Sequence, residues 1–457
     1  MSLIIDRIKI KGLFGQFDVN LPLNQNINIF LGENGMGKTT ILNCLYYILS
    51  GNIEKLNTIV FEEISLYFND DNEKEYRITH KDLVAYEYRK NTGFKFQETI
   101  DKDRIAYIFS DKEQNLIRKL YKNNPNDEEL MKFYYEFSEE LNLPLEIAKQ
   151  RLIHHLIKEE KGDFKNIFNF KNEVDKKVNN KILYFPTYRR IEEDISNLGL
   201  DIREERSFGL RIEDAKKNRI IQFGMEDVEK NIKKLLAKIK SLAITGFTKM
   251  TAILLKQYLN GELLSLEDYK IDKEKLEIAL ARIGDEIEVE DKEKIIELVN
   301  NFNIYNKENR YLLNLIKNLI DSYKKQNLYD ERIKKFVSVC NGYLNGKKYV
   351  YDESNVEIGI FKENTQKPIA IKNLSSGEKQ IISVFSKLYI EDTNDCIVLF
   401  DEPELSLSIL WQTKFLPDIM NSGRCNSLIA VTHSPFIFDN EYDELAKSMG
   451  DFLKNYN

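Results

Sequence analysis

Paired cysteines are missing from this chain. Its four cysteines, Cys44, Cys340, Cys396 and Cys425, stand far apart, with no Cys-x-x-Cys pair and no histidine nearby. That argues against a zinc site or a disulfide framework and for buried reduced thiols. An excess of Lys and Arg is missing too: 67 basic side chains face 74 acidic ones, the signs are interspersed, and the formal net charge is −7. A broad nucleic-acid surface usually carries such an excess, so any contact with DNA or RNA must be local or made through a partner. No run of about twenty apolar residues occurs, as a membrane-spanning helix would need. The first residues lead into alternating apolar positions (Ile8, Ile10, then Phe17, Val19, Leu21) that read as strands and not as a cleavable signal. The expectation is a cytoplasmic protein without a membrane partner. No apolar heptad is sustained over many turns, which argues against a long coiled-coil rod. At 457 residues the length allows two or three domains, or one nucleotide-binding core with large insertions.

What the chain does have is a phosphate-binding loop. An apolar strand (Ile27, Ile29, Phe30) runs into Gly32-Glu33-Asn34-Gly35-Met36-Gly37-Lys38-Thr39, followed by Thr40 and a helix that stops near Gly51. The backbone N–H groups of such a glycine-rich turn, with Gly32, Asn34, Gly35 and Gly37, can wrap a phosphate chain. Lys38 would reach the β- and γ-phosphates of ATP. Thr39 would hold Mg²⁺, and the helix would point its positive end at the anion.

The rest of the chain suggests how this core is interrupted. Residues 1–110 read as the first part of an ATPase head, with the loop followed by an antiparallel meander from Ile59 to about Gln97 whose strands include Leu83 and Ala85 as well as Phe94 and Phe96. Residues 111–180 have helical spacing broken at Asn124-Pro125-Asn126 and Pro144, a helical insertion. Residues 181–224 return to the core through the buried strand Ile182-Leu183-Tyr184-Phe185. Residues 225–345 form a compact helical arm, its helices interrupted at Gly246, Gly261 and Gly284. Residues 346–457 bring short strands (Lys348 to Tyr351, Val356 to Phe361) and then the remaining motifs.

Three such motifs follow. Leu374-Ser375-Ser376-Gly377-Glu378 opens a helix, with hydroxyls and bare backbone N–H groups at Ser375, Ser376 and Gly377 that could approach a γ-phosphate. Ser-x-x-Glu is equally a helix-capping pattern. Cys396 to Phe400 is a buried strand that ends in Asp401-Glu402, where Asp401 suits Mg²⁺ and Glu402 would orient or deprotonate the attacking water. Leu428 to Val431 is another strand, and it ends in Thr432-His433, where His433 could sense the γ-phosphate. The catalytic set is therefore Lys38, Glu402 and His433; the metal set is Thr39 and Asp401.

These pieces in this order resemble the ABC-type ATPases, and within them the SMC and RecF-like heads. The resemblance implies an α/β P-loop fold of ABC/SMC-head type, with a mixed central sheet, an antiparallel β meander and helical insertions. It also implies a head-to-head homodimer in which Lys38, Thr39, Asp401, Glu402 and His433 of one copy close on Ser375 and Gly377 of the other. A transporter subunit is disfavoured, because helical regions separate the loop from the signature run and Glu378 stands where transporters usually carry Gln. No lid glutamine is evident; Arg189 and Arg190 are candidates for that position, with a surface ion pair the plainer alternative.

The runs Tyr184-Phe185-Pro186-Thr187-Tyr188-Arg189-Arg190, Asp401-Glu402-Pro403-Glu404-Leu405-Ser406-Leu407 and Thr432-His433-Ser434-Pro435-Phe436-Ile437-Phe438 are similar to the AAA-type prokaryotic defence ATPases. The AriA family of PARIS anti-phage systems is the most similar, with the PtuA family of Septu next. Ser408 departs from the histidine often found after the Ser-Leu pair. The resemblance implies an oligomeric scaffold, up to a hexamer, that holds a separate nuclease subunit. A TOPRIM nuclease is favoured, an HNH nuclease is the alternative, and the trigger by analogy is a phage protein. His80 and His154-His155 lack an HNH arrangement, and Asp101-Lys102-Asp103 reads as a solvated turn, so the nuclease would come from a partner. A RecF-like repair ATPase that closes on duplex DNA is the rival reading, with a transporter energiser a distant third.

Overall fold

The computed structural model describes residues 5–70, 74–92, 105–123, 127–141, 164–187, 225–260 and 269–456, with a few single positions between 144 and 156. Arg189, Arg190, the pair His154-His155, Asp101, Asp103, Gly261 and the strand expected at Phe94 and Phe96 lie outside the described residues. Two compact units share the chain: Met1–Ile221 with Asp395–Pro403 and Asn426–Asn457, and Gln222–Asn394 with Glu404–Cys425.

The first unit has the α/β class expected from the sequence, with parallel and antiparallel strands sorted into separate sheets. The antiparallel sheet runs β13-β2-β1-β4-β5, from β1 (Ile5–Leu13), β2 (Phe17–Pro22), β4 (Glu63–Phe68), β5 (Tyr76–Thr79) and β13 (Leu453–Asn455). The second sheet runs β12-β3-β11-β10-β6, from β3 (Ile27–Leu31), β6 (Lys181–Phe185), β10 (Cys396–Asp401), β11 (Cys425–Thr432) and β12 (Ala446–Ser448). Here β11 and β12 both lie parallel to β3, and β10 parallel to β6. Strands buried on both faces need continuous apolar runs, and Cys396–Asp401 is buried at every position.

Helix α1 (Lys38–Leu49) buries Ile41, Leu42, Leu45 and Ile48, a helical spacing that joins both sheets in one apolar core with Ile8, Ile64, Leu399 and Val431. Tyr184 ties β6 to this helix: its hydroxyl donates to Asn43 at 2.6 Å, and its ring stacks on Tyr46 at 4.7 Å. The antiparallel strands end earlier than the sequence suggests. Leu83 and Ala85 belong to helix α2 (His80–Thr92) and not to a strand, because two apolar residues are too short a run to tell alternation from a helix face. Three further helices, α3 (Asp111–Asn123), α4 (Glu128–Glu140) and α5 (Phe164–Lys177), occupy the stretch read as helical.

The second unit is built on α6 (Met225–Asn260) and α9 (Arg310–Asn341), of 36 and 32 residues, so α6 is roughly 54 Å long. Between them lie α7 (Lys273–Ala281) and α8 (Val289–Asn300), and beyond them a three-stranded antiparallel sheet β7-β8-β9 (Lys347–Asp352, Glu357–Lys362, Pro368–Ile369). The helix α10 (Ser376–Phe385) and α11 (Ile409–Met420) complete it. Gly246 does not interrupt α6, contrary to expectation. A Cβ there would lie 1.8 Å from the Ser322 hydroxyl on α9, so the glycine permits a close helix crossing. Gly284, at φ +74°, does mark a break, between α7 and α8. A buried ion pair crosses this unit: Arg282 donates to Asp330 at 2.8 Å and to Gln326 at 2.7 Å, and Tyr351 of β7 donates to the same carboxylate.

Candidate active site

Strand order explains why distant motifs meet. The ends of β3, β11 and β10 are locked side by side: Gly32 N–H donates to the Thr432 carbonyl at 3.2 Å, and Glu402 N–H donates to the Val431 carbonyl at 2.9 Å. The loop after β3, the acidic pair at the end of β10 and the histidine after β11 therefore share one sheet edge, where α/β sheets present their ligand sites.

Within this edge, Lys38 opens α1 behind Gly37, whose φ of +74° gives the loop its last left-handed step, as Gly35 does at +89°. The Lys38 side chain is only 5 % exposed. Its ammonium donates to the carbonyls of Gly32 at 2.8 Å and Glu33 at 3.1 Å, and it lies 2.7 Å from His433 Nε2 and 3.4 Å from Glu402 Oε1. His433 stands 395 positions away in sequence. Its Nε2 also lies 3.1 Å from Glu402 Oε1. Lys38 Nζ also lies 3.2 Å from His433 Nδ1, so with the ring proton on Nε2 the imidazole can donate to Glu402 while Nδ1 accepts from Lys38.

Next to this trio the Thr39 hydroxyl donates to Asp401 Oδ1 at 2.9 Å, joining residues 362 positions apart. Asp401 is 1 % exposed. A hydroxyl and a carboxylate in contact are hard oxygen donors of the kind Mg²⁺ takes with one or two protein ligands and phosphate oxygens, so the pair fits that ion. Glu402 has φ +52°, a left-handed backbone that a non-glycine residue adopts at a cost of about 1–3 kcal/mol. Strained backbone of this kind clusters at active sites and ligand clamps.

Gly32, Asn34, Gly35, Gly37 and Thr40 complete the loop; Asn34 and Gly35 are exposed and Thr40 is half-buried. A Cβ on Gly32 would meet Met449 at 3.0 Å and Lys38 at 3.2 Å. Met449 follows β12, and this support of the loop by the last strands has no local signal in the sequence.

Ser375, Ser376 and Gly377 belong to the second unit, and there the capping pattern is realised. Ser375 is the N-cap of α10: its hydroxyl accepts from Glu378 N–H at 3.3 Å and donates to Glu378 Oε2 at 3.0 Å, while its N–H donates to that oxygen at 2.8 Å. Lys347, a residue sequence reasoning did not single out, donates to both Glu378 oxygens at 2.8 Å. Burial works against ionisation of Glu378, but the Lys347 ammonium and the Ser375 donors outweigh it and hold the carboxyl below its usual range. Gly377 also has a packing role that its motif does not announce. A Cβ there would lie 2.3 Å from the Ser406 carbonyl oxygen and 3.2 Å from the Trp411 ring, so its missing side chain serves packing within the chain.

The model of the family described as "AAA domain, putative AbiEii toxin, Type IV TA system" matches residues 27–439, from β3 to beyond His433. The chain belongs to this family. Nucleotide hydrolysis is the chemistry that an AAA domain implies, and the matched span holds every residue of the edge described above. No curated protein matches the chain. Solved structures similar to this AAA-family chain include an SmcHead bound to the C-winged helix domain of ScpA, at 12 % identity and TM-score 0.34, covering 95 % of this chain and 91 % of that one. Another is an Smc head with an extended coiled coil bound to the C-terminal domain of ScpA from Pyrococcus furiosus, at 14 % identity and TM-score 0.34, covering 96 % and 91 %. A third is an Smc head with a coiled coil and joint from Pyrococcus yayanosii, at 15 % identity and TM-score 0.33, covering 96 % and 93 %. Among the described residues no helix is long and apolar enough to cross a membrane.

Proposed function

We propose that this chain is an ATPase whose site is completed by a second copy of itself, and that it serves as the ATPase subunit of an anti-phage defence complex. The observation that carries the reading is the meeting of Lys38, Thr39, Asp401, Glu402 and His433 at one sheet edge across nearly the whole sequence. When bound, Mg²⁺ would supply charge neutralisation between β- and γ-phosphates, held by Thr39 and Asp401. Lys38 exchanges its loop carbonyls and His433 for phosphate oxygens. Glu402 orients or deprotonates the attacking water, and His433 hydrogen-bonds the γ-phosphate. Ser375, Ser376 and Gly377 of the second copy close the site from the opposite side.

In the finer reading, nucleotide state governs how an oligomer, up to a hexamer, holds and releases a partner nuclease of TOPRIM type, on sensing a phage protein. An HNH partner, as in Septu, is the alternative. The toxin–antitoxin wording of the family description supports a system in which a toxic activity is kept in check. Neither His80 with His154-His155 nor Asp101-Lys102-Asp103 forms a nuclease motif in the sequence, which supports a separate nuclease subunit.

Glu402→Gln tests the reading. The variant is expected to bind ATP and Mg²⁺, lose turnover by about 10²–10⁴-fold and accumulate as an ATP-dependent dimer in sedimentation velocity. Turnover that persists in the variant, or that is independent of protein concentration in the unaltered protein, overturns it.

A further inference from the structure

The capping box of α10 has one partner that capping does not call for, the Lys347 ammonium on both Glu378 oxygens. A neutral acceptor would satisfy the Ser375 N–H, yet Glu378 sits there as a carboxylate that is 6 % exposed, takes the Ser375 hydroxyl proton as well, and is held from behind by Lys347. Ser375 itself is exposed. Its hydroxyl has a single proton, and that proton points at Glu378.

We propose that Glu378, neutralised by Lys347, is a positioning residue that restrains ATP-driven association of two copies by holding the Ser375 hydroxyl. The proposal rests on the shared-site reading above. A γ-phosphate presented by a second copy needs the Ser375 hydroxyl as a donor, so it competes with a charge-assisted hydrogen bond that already exists. It also approaches the N-terminus of α10, where the helix dipole favours an anion, but where Glu378 already supplies negative charge. Lys347 offsets that charge. The pair therefore sets how much ATP has to contribute before two copies close. Glu378 touches neither phosphate nor water in this scheme; it acts through Ser375.

The signs separate this role from simple capping. Glu378→Gln keeps an acceptor for the Ser375 N–H but removes the charge, releases the hydroxyl proton to a weaker bond and leaves Lys347 as an unopposed cation. Lys347→Met does the reverse, leaving the carboxylate uncompensated. A structural role alone would make both changes weaken assembly.

The test is made in the Glu402→Gln chain with ATP and Mg²⁺, following the dimer dissociation constant by sedimentation across protein concentration. Glu378→Gln is expected to tighten association and Lys347→Met to loosen it, each on the order of tenfold, the effect of a close unit charge at partly buried sites. The double variant should return to within about threefold of the parent, and Lys347→Arg should leave it unchanged. If both single variants shift in the same direction, or neither shifts, the proposal is overturned. If the parent itself stays monomeric with ATP bound, the shared-site reading falls and the proposal with it, an outcome distinct from a parent that associates while the variants coincide. Circular dichroism and urea unfolding of each variant without nucleotide show whether the chain remains folded, and a misfolded variant is replaced by another that also removes the charge, Glu378→Met or Lys347→Gln, before the comparison is drawn.

Discussion

Gly377→Ala separates two explanations for one glycine. If the residue is bare so that a phosphate can approach, alanine harms only the nucleotide-bound protein. If it is bare because the Ser406 carbonyl occupies the space, alanine harms the protein without nucleotide. Two terms oppose each other in the second case. Alanine is the better helix residue by up to about 1 kcal/mol. Against this, the new Cβ would start 2.3 Å from a backbone oxygen, with the Trp411 ring 3.2 Å away on another side. Ordinary contact would require the oxygen to retreat by about 1 Å, and Ser406 is already held at φ +66°. Overpacking of this kind costs about 1–3 kcal/mol, and the upper half applies because a carbonyl cannot rotate aside as a side chain can. The expected net loss is about 1–2 kcal/mol. Trp411 is the chain's one tryptophan, so its fluorescence during urea unfolding without nucleotide reports on this spot directly. Ser376→Ala, at an exposed neighbouring position, should shift the midpoint by less than about 0.5 kcal/mol. A Gly377→Ala midpoint equal to or above that of the unaltered protein, combined with lost ATP turnover, would refute the packing argument and restore the phosphate one.

Other outcomes follow from the same geometry. Arg282→Met strands the buried Asp330 carboxylate and should cost about 3–5 kcal/mol in thermal or urea unfolding, while Arg282→Met with Asp330→Leu should recover most of it; equal losses in both would mean that the charge pair is not what is being lost. Thr39→Val removes the hydroxyl that donates to Asp401 at 2.9 Å and should weaken the Mg²⁺-dependent part of ATP affinity by about tenfold or more, measured by nucleotide titration at several Mg²⁺ concentrations, with Mg²⁺-independent affinity little changed. Because the Glu378 carboxyl lies below its ordinary value of 4.5 when folded, it contributes stability above that pH that is lost as pH falls through the folded value. Glu378→Gln should therefore lose less stability than the unaltered protein between pH 4.5 and the acid limit. Asp330, whose carboxyl burial pushes upward, contributes with the opposite sign in both proteins and cancels in the comparison.

The convergence at the candidate edge was legible because each of its parts is local. A glycine-rich turn after Ile27–Leu31, an acidic pair after Cys396–Phe400 and a histidine after Leu428–Val431 are each written within about ten residues, and a parallel sheet places the ends of such strands together without further instruction. The features that escaped depend on partners far along the chain. Gly246 reads as a helix break because a glycine's local preference is all the sequence displays; its use is set by Ser322 on another helix. Leu83 and Ala85 read as strand because the run is short, and tertiary packing decided for α2. At Gly377 the motif gives no sign of the packing constraint that the Ser406 carbonyl adds. Lys347 had no signal at all, since a lone lysine 31 positions before Glu378 is indistinguishable from any surface lysine until both carboxylate oxygens are found on it. Local sequence thus specifies which groups can react, while long-range contacts specify how they are restrained. That division is why Lys347 and Glu378, and not a residue of the phosphate loop, are proposed as the positions where ATP-driven closure is tunable without loss of hydrolysis chemistry.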